Sequence, residues 1–449
     1  MSWAGALLEN ISAAFWGVPA ILLFVGGGAY ATVRLGFVQF RFLGRAFVTA
    51  FKPEKGKNSL SALAASLGAV MGPGNIVGVA SALLLGGSGA IFWMWVSAWL
   101  GMALRYAESF LAVKYRVKKN GINRGGAMYV FREKGMRGAA VFFAVSGIAV
   151  SLIMACAVPS SAVGRSFELS RGIPTVLTGA VLSAYTAIVV FGGAKRIVAA
   201  AEVIVPAVCI FYGGISLAAF AAHPGELINA FASIFTSAFS FKAGLGGLLG
   251  GAVRFGLSRG VFSHEAGMGT DPMFAASTNE EDPCSQGLVS MLGPFLDTVV
   301  FCSLTGVAVL IYGGSGGEEA DLVRSAYSAF IPGFGAFALD AVLLLLVLAT
   351  LSSWAFYGES CVFYLSEKPL WTYIYRGFYA AVPLFAAGVR PGILLTLGDI
   401  ATACMAVPNV ILCILFICEV KCPPKNRFIS TSSVDKIRVK RYHMDNEKL

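Results

Sequence analysis

MGPGN, Met71–Asn75, interrupts an apolar run from about Leu60 to Leu85. A run of that length crosses a bilayer as one helix, yet its centre carries two glycines, a proline and an amide. Pro73 removes one N–H and clashes with the preceding turn, while Gly72 and Gly74 permit non-helical dihedrals. Backbone groups freed inside a membrane need partners, so irregular chain is tolerated only where it is buried in protein or lines a cavity. The stretch therefore predicts an unwound link at mid-membrane. Its free carbonyls can coordinate a cation, and the half-helix beginning near Asn75 presents a positive end to a carboxylate. The plainer alternatives are a proline kink, or glycines used for close helix packing.

The rest of the chain supplies the membrane. It has 449 residues, 57% hydrophobic and 13% charged, with a mean hydropathy of +0.75, whereas a soluble domain is about 25% charged. Runs such as Ile11–Val33, Gly287–Ile311 and Gly335–Tyr357 exceed the roughly 18 apolar residues that mark a spanning helix. The opening MSWAGALLENISAAF has no basic segment before its apolar stretch, which predicts a retained first span rather than a cleaved signal peptide. The nine cysteines fall mostly inside apolar runs, without metal-ligand spacing, and read as packing.

Eleven spans are expected, at about 11–35, 60–86, 89–114, 138–161, 174–191, 197–221, 241–268, 286–311, 335–364, 373–389 and 393–418, joined mostly by short loops. Basic residues near helix ends stay cytoplasmic, and the Arg34–Lys57 and Lys114–Arg137 loops carry six and eight of them on the same side. Lys195, Arg196, Arg259, Lys368, Arg376 and the basic tail from Lys421 fall there too. This predicts an outside N-terminus, a cytoplasmic C-terminus and a multi-pass protein of the cell (inner) membrane. The net charge of +10 is then explained by topology and anionic lipid, leaving nothing for nucleic acid to explain.

With the first span set aside, the two most glycine-interrupted spans are the first and sixth of ten: GAVMGPGNIVGVA (Gly68–Ala80) and the one ending RFGLSRGVFSHEAGMGTDP (Arg254–Pro272). An offset of five makes them cross in opposite directions, as a five-plus-five inverted repeat requires. The predicted organisation is an extra N-terminal helix with a basic loop (1–59), two five-helix repeats (60–240 and 241–420) and a basic cytoplasmic tail (421–449).

Asp297, in MLGPFLDTVVF, sits in an apolar span, where a carboxylate serves an ion path or a buried pair. It reads as an ion ligand together with Thr298, or as a partner to a neighbouring helix. Glu265 adjoins the second break and either shapes it or carries a proton. His264 beside it titrates near neutrality in water or simply caps the chain. Glu108, Glu202, Asp340, Glu359 and Asp399 lie nearer span ends and read as structural pairs, with Arg105 neutralising one of them. In LATLSSWAFYGES the hydroxyls of Thr350, Ser352 and Ser353 either complete an oxygen cage for a small hard cation or bond back to their own helix. Trp354 shares a face with Thr350.

At these residues the chain resembles the alanine or glycine:cation symporter family. The resemblance rests on GNIVGVASALLLGGSGAIFWMWVSAWLGMALRYAESFLAVKYR (Gly74–Arg116), GGAKRIVAAAEVIVP (Gly192–Pro206), RGVFSHEAGMGTDP (Arg259–Pro272), QGLVSMLGPFLDT (Gln286–Thr298), WAFYGES (Trp354–Ser360) and AVPNVILC (Ala406–Cys413). It implies an all-α polytopic membrane protein of the leucine-transporter fold with one extra N-terminal helix. It also implies sodium-coupled uptake of small neutral amino acids such as alanine or glycine. Carried onto this chain, Gly72, Gly74 and Asn75 would hold the amino acid's carboxylate and amine. Gly260–Ser263 would offer carbonyls to the amine, with Phe262 beside the side chain, and Thr350 and Trp354 would close the pocket. Sodium, the one ion expected and no cofactor beside it, would be held by Asn75, Asp297, Thr298, Thr350 and Ser353. Pro73, His264 and Ser353 stand where the family commonly has threonine, asparagine and glycine, and His264 leaves a proton-coupled variant open.

The function read from the residues is secondary transport, with small amino acid, sodium or proton, and lipid as the partners and no obligate protein partner. A channel is the competing class. An intramembrane enzyme lacks any HExxH or GxSxG motif or paired aspartates.

Overall fold

The structure is a computed structural model that describes residues 16–51, 59–119, 121–239, 251–313, 319–389 and 391–424. The start of the first and seventh expected spans, the charged end of the Arg34–Lys57 loop and most of the basic tail lie outside the described residues.

Among the described residues the chain is helical apart from one antiparallel hairpin, in which Val117–Lys119 pairs with Ile122–Arg124. Five helices are long and apolar enough to cross a bilayer: Arg137–Arg171, Gly193–Ala222, Pro283–Tyr312, Gly335–Leu365 and Gly392–Glu419. Leu60–Val70 and Gly74–Gly86 together make a sixth, bent by 58° at MGP. Val18–Arg34 and Thr175–Phe191 are apolar but shorter. Gly89–Lys114 has a span's length and carries Arg105, Glu108 and Lys114 in its second half. The outer faces suit lipid. On Gly193–Ala222 the exposed large side chains are Val203, Ile210 and Leu217, a stripe repeating every seven residues that water would penalise and hydrocarbon accepts.

Small residues set the closest approaches, as expected where packing rather than apolar burial draws helices together. A Cβ on Gly256 or Gly260 would collide with Ala90, Trp93, Met94 and Ser97, so the Gly251–His264 helix lies almost backbone to backbone on Gly89–Lys114. The acidic residues expected to be structural include two that form ion pairs. Asp340 accepts from Arg171 at 3.0 Å and Arg324 at 2.7 Å, and Arg376 donates twice to Glu359 at 2.9 and 3.0 Å. Arg105 departs from that reading, because its ion pair runs at 3.9 Å to Asp271.

The described part of the seventh expected span is wound to His264, and beyond the break a separate short helix, Asp271–Ser277, follows. Two of the connections are themselves helices, Pro224–Ala238 and Glu319–Phe330. The latter packs over the Gly74–Gly78 turn and is tied down by a 2.6 Å hydrogen bond between Tyr327 and Ser216.

Candidate functional site: two breaks and a buried carboxylate

The first break forms as Pro73 and its glycines dictate. Ser59–Val70 stops, and after Met71–Pro73 the chain resumes in a wide π turn, Gly74–Gly78, of the kind found at functional sites. The freed backbone groups find side-chain partners. Asn75 Oδ1 accepts the Gly72 N–H at 3.1 Å. The Asn75 carbonyl accepts from Thr305 Oγ1 at 2.8 Å, and Thr305 in turn meets Tyr212 at 2.6 Å. The Ala69 carbonyl accepts from Trp354 Nε1 at 3.3 Å. Gly74 is exposed, and a Cβ built on it meets nothing within 4 Å. The backbone is open to a visitor there.

Asp297 faces this break from a second π turn, Phe295–Cys302. Fully buried, it accepts from Asn75 Nδ2 at 2.6 Å, Ser263 Oγ at 2.6 Å and Thr298 Oγ1 at 2.8 Å. All three donors are neutral, and among the described residues Asp297 makes no ion pair. A carboxylate sunk in apolar surroundings is costly without a countercharge. Its donors come from two neighbouring helices as well as its own.

The Gly335–Leu365 helix flanks the other side of the break. A Cβ on Gly72 would come within 3.0 Å of Thr350 Oγ1, and one on Gly68 within 2.8 Å of Ser353 Oγ. Thr350 and Ser352 bond back to Leu346 and Leu348 of their own helix, the plainer of the two readings. Ser353 Oγ is buried without a hydrogen-bond partner among the described residues, a spare oxygen beside the break. The structure therefore gathers Gly72, Asn75, Asp297, Thr298, Ser263, Thr350, Ser353 and Trp354 around MGPGN.

Gly260 and Phe262 stand apart from that group. The helix winds regularly through Gly260–Ser263 as far as His264, so these residues are not an unwound stretch of free carbonyls. Gly260 is a packing glycine, and Phe262 lays its ring on Trp16 at 4.2 Å. The break itself comes later. Glu265 turns the chain with a left-handed φ of 51°, and Gly267 and Gly269 follow at 93° and 77°, values that glycine tolerates and glutamate seldom adopts. Gly89–Lys114 then stitches the link. Arg105 Nη2 donates to the His264 carbonyl at 2.7 Å, Glu108 Oε1 accepts the Gly269 N–H at 3.1 Å, and Ser109 Oγ donates to Asp271 at 3.1 Å. From the Pro391–Phe416 helix, Asn409 donates to both Glu108 and the Gly267 carbonyl. His264 Nδ1 accepts the Ala266 N–H at 3.1 Å, so the ring caps the turn through its unprotonated nitrogen.

Thr305, Tyr212 and Asn409 were not singled out in the sequence. Thr305 lies eight residues after Asp297 and so on a similar face, and Asn409 follows Pro408 within an apolar run, the same amide-and-proline signal as MGPGN. Tyr212 carries no local signal.

A helix broken at a glycine–proline link, faced by a buried carboxylate inside a bundle of apolar helices, is an arrangement that suits a membrane transporter. A family profile described as the sodium:alanine symporter family matches residues 1–434, and the chain belongs to that family. It is 38% identical over 426 residues to the sodium/alanine symporter AgcS of Methanococcus maripaludis, covering 90% of this chain and 93% of the relative. An uncharacterized transporter of Haemophilus influenzae is 38% identical over 421 residues, covering 90% and 92%. The putative sodium/proton-dependent alanine carrier protein YrbD of Bacillus subtilis is 32% identical over 431 residues, covering 91% and 89%.

Proposed function

We propose that this protein imports small neutral amino acids, alanine or glycine, together with sodium by alternating access. It would do so across the cell membrane as an eleven-span protein: two inverted five-helix repeats behind one extra helix, its N-terminus outside and its C-terminus cytoplasmic. The observation that carries this reading is Asp297, buried with three neutral donors and one positive charge short, and bonded directly to the Asn75 that braces the first break. A sodium ion supplies the missing charge through Asn75, Asp297, Thr298, Thr350 and Ser353. The amino acid meets Gly72, Gly74 and Asn75 at the break, with Ser263, Thr350 and Trp354 as walls. Ion and substrate then share Asn75, so each favours the arrangement that the other needs, which is what coupling requires. Uptake of labelled alanine and glycine into proteoliposomes tests the reading. Accumulation driven by an inward sodium gradient, and absent when choline replaces sodium, is the expected result. Indifference to both sodium and proton gradients would remove it, and accumulation driven by protons alone would leave the substrate and reassign the ion.

A further inference from the structure

The second break holds more negative charge than its neighbours balance. Glu108, Glu265 and Asp271 surround it with Arg105 as the one cation among the described residues there, and each of the three carboxylates lies within electrostatic reach of that guanidinium. Arg105 is fully buried, lies 3.9 Å from Asp271 and donates to the His264 carbonyl at 2.7 Å, while its Nε and Nη1 have no hydrogen-bond partner among the described residues. Glu265 is half-buried and accepts from Thr270 at 3.3 Å. One guanidinium cannot balance three carboxylates, and Glu108 feels its charge without hydrogen-bonding to it. It is 3% exposed and makes no ion pair among the described residues.

Its two oxygens are unequal. Oε1 takes the Gly269 N–H and Asn409 Nδ2, while Oε2 is buried with no hydrogen-bond partner among the described residues and the Gly267 N–H only faces the carboxyl. A carboxylate spreads its charge over both oxygens and demands donors for each, so an orphaned Oε2 in apolar surroundings is a poor home for half a negative charge. It is a tolerable place for a hydroxyl, because a buried neutral group lacking one hydrogen bond costs far less than a buried ion. A proton is the balancing charge that such an oxygen accepts without any further ligand. The groups facing Glu108 agree. Arg105 on its own helix, Asp271, the Gly267–Gly269 link, and Asn409 and Cys413 of the Pro391–Phe416 helix surround it. Beyond these stand Glu265, the link-capping His264 and Tyr357, and none of them brings a second cation.

We propose that Glu108 is a proton-binding residue: it carries a proton on Oε2 while the Gly267–Gly269 link is closed upon it, and releases that proton when the link withdraws and water enters. The proton is exchanged with water on both occasions, so no other reactant is needed. Its occupancy and the closed link stabilise each other. The sign follows directly. The closed arrangement binds one proton more than the open one, so acid holds the link shut and alkali favours opening.

The test compares the full-length protein with Glu108→Gln, a neutral isostere whose amide oxygen can keep both donors, in proteoliposomes and by infrared difference spectroscopy. In the wild type, a pH jump should change the carbonyl stretch of a buried, protonated carboxylic acid, and that band should be missing from Glu108→Gln. Uptake driven by a fixed sodium gradient should vary with internal pH in the wild type, with up to roughly tenfold change in rate per pH unit in the steep region. In Glu108→Gln the same profile should be flat while the sodium dependence persists. An unaltered band in the variant, an unaltered pH profile, or loss of sodium dependence in Glu108→Gln would each overturn the proposal. The infrared readout needs no transported substrate, so failure of the proton site and failure of sodium–alanine symport are told apart. If Glu108→Gln does not fold, the same band in Asn409→Leu, which keeps the carboxyl and removes one donor, should shift; a band that stays put excludes Glu108 as its source.

Discussion

The two broken helices meet the same physical problem, backbone released inside an apolar medium, with different chemistry. The first break is braced by neutral groups, the Asn75 amide and the hydroxyl of Thr305, with one carboxylate beyond them. The second is held by ionisable groups reaching from a neighbouring helix, the Arg105 guanidinium and the Glu108 carboxyl, with Asn409 from another. Neutral braces are individually weak and leave Gly74 open, whereas a buried hydrogen bond from a guanidinium is strong, directional and costly to leave half-made. A ligand can therefore compete for the first link, while the second resists displacement until its charge changes. On the proposed reading, binding belongs to the one and control of opening to the other.

The sharpest way to break this contrast is Asn75→Ala. It strips one donor from Asp297 and leaves the Gly72 N–H without its acceptor, in a site where bonds to a charged group are worth about 1.5–3 kcal/mol. Alanine affinity should fall by roughly 100-fold while the protein still folds with a lowered melting temperature, by scintillation-proximity binding and thermal unfolding in the same detergent. Near-normal affinity would separate Asn75 from the substrate and leave it a purely structural brace.

Gly267→Ala asks whether the second link is as rigid as its stitching implies. The residue has φ 93°, and a Cβ would stand 2.8 Å from Phe24 and Val410. Strain of that kind costs roughly 1–3 kcal/mol before any clash is counted. A marked drop in thermal stability is expected, together with loss of uptake. A variant as stable as the wild type would mean that the link rearranges easily, and the contrast between the breaks would fail.

How far all this was legible depended on whether the cause was local. MGPGN announces its own break, because proline and glycine act on the backbone where they stand, and Asp297 is conspicuous as a lone carboxylate in an apolar span. The carbonyls that the resemblance assigns to the amine at Gly260–Ser263 are tied up in regular helix, for a definite reason. A glycine that lets two helices touch and a glycine that lets a helix unwind look alike in sequence, and here Gly260 is the first kind and Gly267 the second. Nothing local marks Glu265 as left-handed. The Arg105–Asp271 pair, separated by 166 positions and closed only by tertiary packing, could not be read either, nor could the helices Pro224–Ala238 and Glu319–Phe330, whose polar faces resemble loops. The polar residues on the Gly89–Lys114 helix were visible as types but not as one surface: Arg105, Glu108 and Ser109 stand at i, i+3 and i+4, and that spacing acquires meaning only once a link lies across it.

Asp297→Asn sharpens the first break further. The amide keeps nearly the same shape and removes the charge, so a cation loses its anionic partner while the fold does not. The sodium concentration for half-maximal uptake should rise about tenfold, equivalent to roughly 1.4 kcal/mol, with folding retained. An unchanged sodium response would make Asp297 a partner of its neighbours alone.

The smallest effect is the most discriminating. Gly74 has an ordinary φ, and a Cβ there meets nothing within 4 Å, so Gly74→Ala should leave stability within about 0.5 kcal/mol of the wild type, a surface-like change with a slight gain in helix propensity. If the amino acid rests on this exposed backbone, the added methyl occupies its place. Alanine affinity should then drop several-fold, and glycine affinity should drop less because the smaller ligand can shift into the room left by its missing side chain. Equal loss for both substrates would indicate a backbone effect transmitted through Asn75. No loss for either would mean that the open side of the first break faces lipid or water rather than the transported molecule, and the site would have to lie on the Thr350 and Ser353 side of the link.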